Sequence, residues 1–500
     1  MICVCVAIAA STGKAASEFC AKLLMSIASN FGWLYILAVT GFVLFAAILA
    51  GSRFGRVRLG RDEDRPEFST TSWFAMLFSA GMGIGLLFFS VAEPITHFTK
   101  PPEATERSLE AAREAMVITF FHWGVHAWSI YAVVGAALAY FCFRKRLPLS
   151  LRSCLHPFIG QRLYGRAGDV VDLLSVFATV FGLATSLGLG AMQINAGFAH
   201  VFGLPVSATM QVIIIAVVTA CATVSLVSGL DAGVRRLSEI NMVVAGVLLL
   251  FVFLCGPTLF LLDSFVDNLG EYLSSFARRS FLRGAYRTEN WYAGNTLFYF
   301  AWWIAWCPFV GTFVARISRG RTLREFILGV VLVPSVLTFF WMTVFGNTAL
   351  HMEVYEGIDL ATAVSRNTST AIYVLLERLP LAAITAPLAT LLVALFFVTS
   401  SDSGSFVVDM LTSGGNPNPP VWQRVFWAVT EGVVAAALLL LGGLDALQSA
   451  AVSAGLPLMF VLALLCIGLW RSLNAEPPSA TGQVAASATK RSVQDDQRVQ

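Results

Sequence analysis

Read for apolar and polar positions alone, the chain is a series of long hydrophobic runs divided by short, mostly basic loops. A helix that crosses a bilayer needs about 20 consecutive apolar residues. Eleven runs reach that length: 32–52, 72–98, 116–142, 168–200, 206–229, 238–262, 292–315, 326–349, 381–411, 424–443 and 447–470. The two longest exceed what a perpendicular helix requires and are expected to tilt or break. Met1–Ala10 is apolar but too short to cross, and the first basic residue is Lys14, so the cationic start of a signal peptide is missing. Residues 1–30 therefore read as an interfacial segment or a truncated first helix.

The basic residues orient the runs. Arg53, Arg56, Arg58, Arg61 and Arg65 form one cluster; Arg144, Lys145, Arg146, Arg152, Arg162 and Arg166 the next; then Arg235 and Arg236; then Arg316, Arg319, Arg321 and Arg324. Each falls at every second crossing, which by the positive-inside rule makes these loops cytoplasmic. The loop Thr99–Arg113, with Glu103, Glu106 and Glu110, lies on the opposite side. One outer loop, Asp263–Asn290, carries Arg278, Arg279, Arg283 and Arg287. Its apolar positions Phe265, Leu269, Leu273, Phe276 and Phe281 recur at near-helical spacing, predicting an amphipathic helix on the membrane surface. Residues 471–500 form a polar cytoplasmic tail of disordered composition.

Composition agrees with the run pattern. Of the 500 residues, 57% are hydrophobic and 13% charged, where soluble domains have about 25% charged. That excludes a cytoplasmic enzyme and a disordered chain. A net charge of +3 gives no reason to expect a nucleic-acid partner. The nine cysteines form no CxxC pair, so neither a disulfide framework nor a zinc site is indicated.

Four polar or aromatic stretches interrupt the apolar runs. In Ser79–Gly85, the alternating Gly81, Gly83 and Gly85 weaken a helix by roughly 1 kcal/mol each relative to alanine. They either let the backbone open to coordinate a cation or form a small-residue packing stripe. In Trp302–Phe309, Trp302, Trp303 and Trp306 fall around mid-depth, where indole faces suit a quaternary ammonium; an interfacial aromatic belt is the other reading. Pro308 predicts a break in this helix. In Phe120–Tyr131, Trp123, Trp128 and Tyr131 add rings. His122 and His126, four apart, read as satisfied or proton-relaying rather than as metal ligands. In Phe396–Ser405, hydroxyls and Asp402 inside an apolar run suit Na⁺, or else bond back to their own helix. Asp409 and Glu93 read as interfacial charges. With no P-loop and no catalytic cluster, these features favour a secondary transporter over a channel or an enzyme.

Together, FSAGMGIGLLFFSVAEPITHF, FFHWGVHAWSIYAVVGAALAYF, LSEINMVVAG, FAWWIAWCPFVGTFVARISRGRTLREF and FFVTSSDSGSF resemble the betaine/choline/carnitine transporter family over about residues 30–473. The resemblance implies an all-α, LeuT-like fold in the bacterial inner membrane: two leading helices, then two five-helix inverted repeats. Here the leading helix and its cytoplasmic loop would be 31–71, the first repeat 72–262, the surface helix 263–291 and the second repeat 292–470. Only eleven of the family's twelve spans are visible. The family's aromatic box falls on Trp123, Trp128, Tyr131, Trp302, Trp303 and Trp306, beside Gly81, Gly83 and Gly85. Its Na⁺ site falls on Ser79, Met82, Phe396, Thr399 and Ser400. A second ion site would use Thr179, with Phe309 alongside; Leu183 stands where its other hydroxyl would be.

Ion-independent members carry a built-in arginine, whereas this chain has no Lys or Arg between Arg166 and Arg235. That implies coupling to Na⁺ or H⁺, with no cofactor. The surface helix matches an element that holds homotrimers. The implied activity is import of a quaternary ammonium or sulfonium solute, glycine betaine first. Na⁺-independent, H⁺-coupled choline transport and a non-transporting betaine sensor are the alternatives.

Overall fold

The computed structural model describes residues 14–81, 83–227, 231–286, 291–416 and 419–476. Among these there is no β-strand, only an isolated bridge between Arg58 and Thr322. The expected polar tail and the apolar start at Met1–Ala10 fall, from residue 477 onward and up to residue 13, outside the described residues.

In chain order the longer helices are α1 (Lys14–Gly51), α2 (Thr70–Gly81), α3 (Ile84–Thr99), α4 (Leu109–Trp123) and α5 (Val125–Ala139). They continue with α6 (Arg166–Phe202), α7 (Ala208–Val227), α8 (Asp231–Cys255), α9 (Thr258–Ser280), α10 (Thr296–Arg316) and α11 (Leu323–Met342). Three short helices follow, α12 (Thr348–Tyr355), α13 (Leu360–Arg366) and α14 (Ala371–Glu377), then α15 (Ala382–Thr412) and α16 (Val421–Asn474). Non-helical backbone at Gly442 and Gly443 divides α16 into two arms; Gly443 has φ 56°, a conformation that favours glycine. With α2–α3 and α4–α5 each taken as one crossing and α16 as two, the long elements match the eleven expected runs. Six crossings precede α9, namely α1 and a unit of five from α2 to α8, and a second unit of five begins at α10.

Three expectations need correction. The boundary at residues 30/31 lies inside a continuous α1, because no Gly or Pro interrupts residues 14–31. The helix carrying Pro308 does not break there. The surface helix starts at Thr258, five residues earlier than expected, directly after Gly256-Pro257 ends α8.

The basic loops converge on one face. Leu59 N–H donates to Arg321 O (2.9 Å), Gly320 N–H to Leu59 O (2.8 Å) and Leu323 N–H to Val57 O (2.8 Å). Gly320, at φ 81°, permits this zipper, since a Cβ there would meet the Arg65 carbonyl at 2.1 Å. Arg144 bonds Asp62 (2.8 Å) and Glu476 (2.9 Å), and Lys145 bonds Glu476 (2.6 Å). Burial acts to raise the Glu476 carboxyl, but the hydrogen bonds from Arg144, Lys145 and Tyr140 outweigh it and hold it at about 2. Glu476, just past α16, therefore lies on the same face as the first, second and fourth basic clusters.

The opposite face is joined by Arg278–Glu103 (2.8 Å), by Trp291 Nε1 donating to Lys100 O (2.8 Å) and by Arg283 donating to Ala28 O (2.9 Å). Between the faces, α6 packs along α15 and α16, and α5 along α10, around a continuous apolar core.

Candidate functional site

Two backbone interruptions frame the centre of the molecule. The first separates α2 from α3. Helix α2 stops at Gly81, Met82 lies outside the described residues, and Gly83 precedes α3 with extended φ −160° and ψ −178°. An interrupted helix leaves carbonyls and N–H groups without intrahelical partners at the break. The second separates α4 from α5 at Gly124 (φ −100°, ψ −133°). A Cβ at Gly124 would meet the Phe339 ring at 2.4 Å. This break takes His122 and His126 off a common face: His122 contacts Glu93 and Thr296, while His126 Nε2 lies 2.9 Å from Ser280 Oγ on α9.

The aromatic residues of the two stretches meet. Trp123 stands edge-on to Trp303 (ring centroids 4.9 Å) and to Trp302 (6.3 Å), and Trp302 stacks on Trp303 (4.9 Å). Tyr131 reaches Trp303 at 6.4 Å and Trp128 at 5.5 Å; Trp306 lies 6.4 Å from Trp302 and 5.5 Å from Phe309. Phe89, absent from the sequence reading, closes the group at 6.2 Å from Trp123 and 6.0 Å from Trp302. All but Trp306 and Phe309 are buried.

The indole nitrogens hold several of these rings in place. Trp303 Nε1 donates to His122 O (2.8 Å), Trp306 Nε1 to Gly182 O (2.9 Å) and Trp123 Nε1 to Glu93 Oε2 (2.6 Å). Gly85 lets α3 approach the rings, since a Cβ there would meet Trp302 Cη2 at 2.4 Å and Trp123 Cη2 at 3.3 Å. Gly83 has no atom within 4 Å of its Cβ position, so its place is at the break rather than against the rings.

The hydroxyl stretch lies nearby on α15. At Gly190 of α6, an added Cβ would touch Ile84 (2.9 Å) and Phe397 (3.1 Å), so the start of α3, α6 and the Phe396–Ser400 segment converge. Phe396 is buried; Ser79, Thr399 and Ser400 are half-buried. Thr399 Oγ1 donates within its own helix, to Leu395 O (3.0 Å) or Phe396 O (3.2 Å), and accepts from Asn241 Nδ2 (3.3 Å). Thr179 also bonds back to its own helix, at Ser175 O (2.7 Å), and the Leu183 side chain fills the space beside Gly404.

Glu93 and Asp409, expected as interfacial charges, are both buried among packed helices. Asp409 is buried on α15, 3.5 Å from Arg424. Glu93, 2% exposed, lies 2.6 Å from His122 Nδ1 and 3.3 Å from His97 Nε2, with the Tyr299 hydroxyl also bonded to it. The Glu93, His97 and His122 donor atoms lie within 4.8 Å of one another, but hydrogen bonds already engage the carboxylate on both oxygens. The signal in the sequence was a carboxylate four residues before a histidine inside an apolar run, which marks function by default.

The profile of the betaine/carnitine/choline family transporters matches residues 1–478. The chain belongs to that family. It is 46% identical to the glycine betaine transporter of Acinetobacter baylyi over 94% of this chain and 71% of that one. It is 43% identical to the probable glycine betaine transporter of Desulfitobacterium hafniense over 91% and 92%. The high-affinity choline transport protein of Escherichia coli K12 is 44% identical over 90% and 67%. A manganese transporter of Eremococcus coleocola aligns at 12% identity over 87% of this chain and 96% of that one, with a TM-score of 0.42, too distant to bear on the fold. This betaine/carnitine/choline family member is thus an all-helical, multi-pass membrane transporter and not an enzyme.

Proposed function

We propose that the chain imports a quaternary ammonium or sulfonium compatible solute, glycine betaine first, in symport with Na⁺. The observation that carries this reading is the buried set of rings contributed by α3, α4, α5 and α10 beside a broken helix. A methylated cation has no N–H to donate, so aromatic faces are the natural means of holding it. Broken helices near mid-membrane are where secondary transporters place substrate and ion. Substrate would contact Trp123, Trp128, Tyr131, Trp302, Trp303 and Trp306. Na⁺ would take oxygens from Ser79, Met82, Phe396, Thr399 and Ser400, so that its arrival draws α15 toward the α2–α3 break. The Thr399 hydroxyl would turn its lone pairs from Asn241 toward the ion. Alternating access follows if the two five-crossing units rock about this point.

The absence of Lys and Arg between Arg166 and Arg235 supports ion coupling. A second reading is H⁺-coupled choline uptake, its substrate suggested by the Escherichia coli relative named a high-affinity choline transport protein. The gathering of the basic clusters with the end of α16 supports a cytoplasmic C-terminus in the bacterial inner membrane. The exposed Leu259, Val266 and Leu273 of α9 offer an apolar face for a homotrimer contact.

The test is uptake of labelled glycine betaine into proteoliposomes. Accumulation with an inward Na⁺ gradient is expected. Uptake under a pH gradient alone would transfer the protein to the H⁺-coupled reading. Saturable binding without uptake under either gradient would leave a sensor.

A further inference from the structure

The Glu93 network is joined to the aromatic box at two points. Trp123 Nε1 donates to Glu93 Oε2, and Trp303 Nε1 donates to the main-chain carbonyl of His122, whose ring binds Glu93 Oε1. Trp123 is a donor only, so Oε2 remains an acceptor in every protonation state that keeps this bond. The other oxygen faces His122 Nδ1 at 2.6 Å, a distance typical of a charge-assisted hydrogen bond.

A neutral His122 donates from Nδ1 to Glu93 and accepts from the Thr296 hydroxyl at Nε2, 2.9 Å away. One further proton at Nε2 makes an imidazolium and requires only that the Thr296 hydroxyl turn round to accept. The Glu93–His122–Thr296 chain thus keeps all its own hydrogen bonds in two states that differ by one proton and by one unit of charge: a carboxylate with a neutral histidine, net −1, and a carboxylate with an imidazolium, net zero.

From the elements packed around this pair, the titratable and charged groups that face it are His97 on α3, His126 on α5, Tyr299 on α10 and Arg279 on α9. Arg279 itself lies 3.8 Å from Glu114. The Trp291 ring covers His97 at 5.0 Å.

We propose that Glu93 and His122 form a single-proton site whose deprotonated state supplies the counter-charge for the cationic end of the substrate, so that proton and substrate oppose each other. This rests on the box being the substrate site. A negative charge one indole away attracts a quaternary ammonium, and the proton cancels that charge. By linkage, each ligand weakens the other by the same factor.

Two measurements on the purified full-length protein test it. The first uses no substrate. Intrinsic tryptophan fluorescence, titrated from about pH 8 to about pH 5 where histidine changes charge, should follow a one-proton transition lost in H122Q and in E93Q. H126Q should keep it. No transition, or one that survives in both H122Q and E93Q, overturns the proton site. Saturable quenching by Zn²⁺ that disappears in E93Q also overturns it, in favour of a metal site.

The second is glycine betaine affinity over the same range. It should fall about tenfold in the wild type as the charge is neutralised in a low-dielectric setting. E93Q should bind weakly at every pH. An equal pH slope in wild type and E93Q overturns the proposal. Thermal unfolding of each variant separates loss of fold from loss of charge, and H122Q gives a second variant if E93Q is unstable. Wild type that binds no betaine at any pH would sink the substrate reading, while the fluorescence result decides the proton site independently.

Discussion

Helices α2–α3 and α10 open the two five-crossing units, and they treat helix-breaking residues in opposite ways. The first unit breaks where it has glycines, at Gly81–Gly83. The second runs unbroken from Thr296 to Arg316 with Pro308 inside it. Pro308 cannot donate to the carbonyl of Ile304, yet neighbouring helices support the backbone, as they do in membrane proteins generally. Helix α10 is packed by α5, α6 and α16, and Trp303 and Trp306 tie it to α4 and α6 through their indole nitrogens. The contrast teaches that the helix bearing Trp302, Trp303 and Trp306 is continuous, whereas the helix that approaches those rings is the one that is interrupted. The interruption falls at the spaced glycines and not at the proline.

Four substitutions sharpen this comparison. Trp303→Leu removes a ring and the bond to His122 O. A desolvated cation–π contact is worth about 2 kcal/mol and the hydrogen bond about 1 kcal/mol, so glycine betaine affinity should fall over about a hundredfold in a tryptophan-fluorescence titration. Next, Gly85→Ala places a methyl against Trp302, and overpacking of that kind costs about 1–3 kcal/mol, enough to weaken binding about tenfold or more. An unchanged affinity in Gly85→Ala would show that the approach of α3 to the rings is not required. Pro308→Ala restores a backbone donor to an intact helix. It should raise the melting temperature slightly and leave uptake within about twofold, whereas a proline hinge would give a large loss. Smallest is Gly83→Ala, where the backbone is extended and the Cβ position open; uptake should again stay within about twofold because no contact or strained φ is affected. A large loss at Gly83 would show that the space over its Cα is needed by the substrate itself.

Much of this was legible before the structure. The positions of the long apolar helices follow from apolar run length alone. The convergence of the first, second and fourth basic clusters follows from their recurrence at every second crossing. Trp302, Trp303 and Trp306 were legible because three indoles around mid-depth of one apolar run suit a quaternary ammonium better than an interfacial belt, and Trp123, Trp128 and Tyr131 because they add rings in a second run. The Gly124 break was missed because one glycine inside a helical pattern gives only a weak signal; its reason is the Phe339 ring on a distant helix. The short helices α12–α14 were missed because their sequence carries no long apolar run. Glu93 was misread because its position near the expected end of a span suggested water. In three dimensions α4 and α13–α14 pack on α3 and Tyr299 of α10 bonds Glu93, so Glu93 becomes the polar centre of a buried network. Burial of this kind is set by tertiary packing, which periodicity along one helix does not report.

The central claim is that the rings recognise charge as well as apolar shape. The direct measurement is competition between glycine betaine and 3,3-dimethylbutanoate, its isostere with carbon in place of the quaternary nitrogen, at the purified transporter in Na⁺. The account predicts that the isostere fails to displace glycine betaine even at large excess, because the cation–π attraction is missing. Displacement at comparable concentrations would contradict it and reduce the box to a hydrophobic pocket.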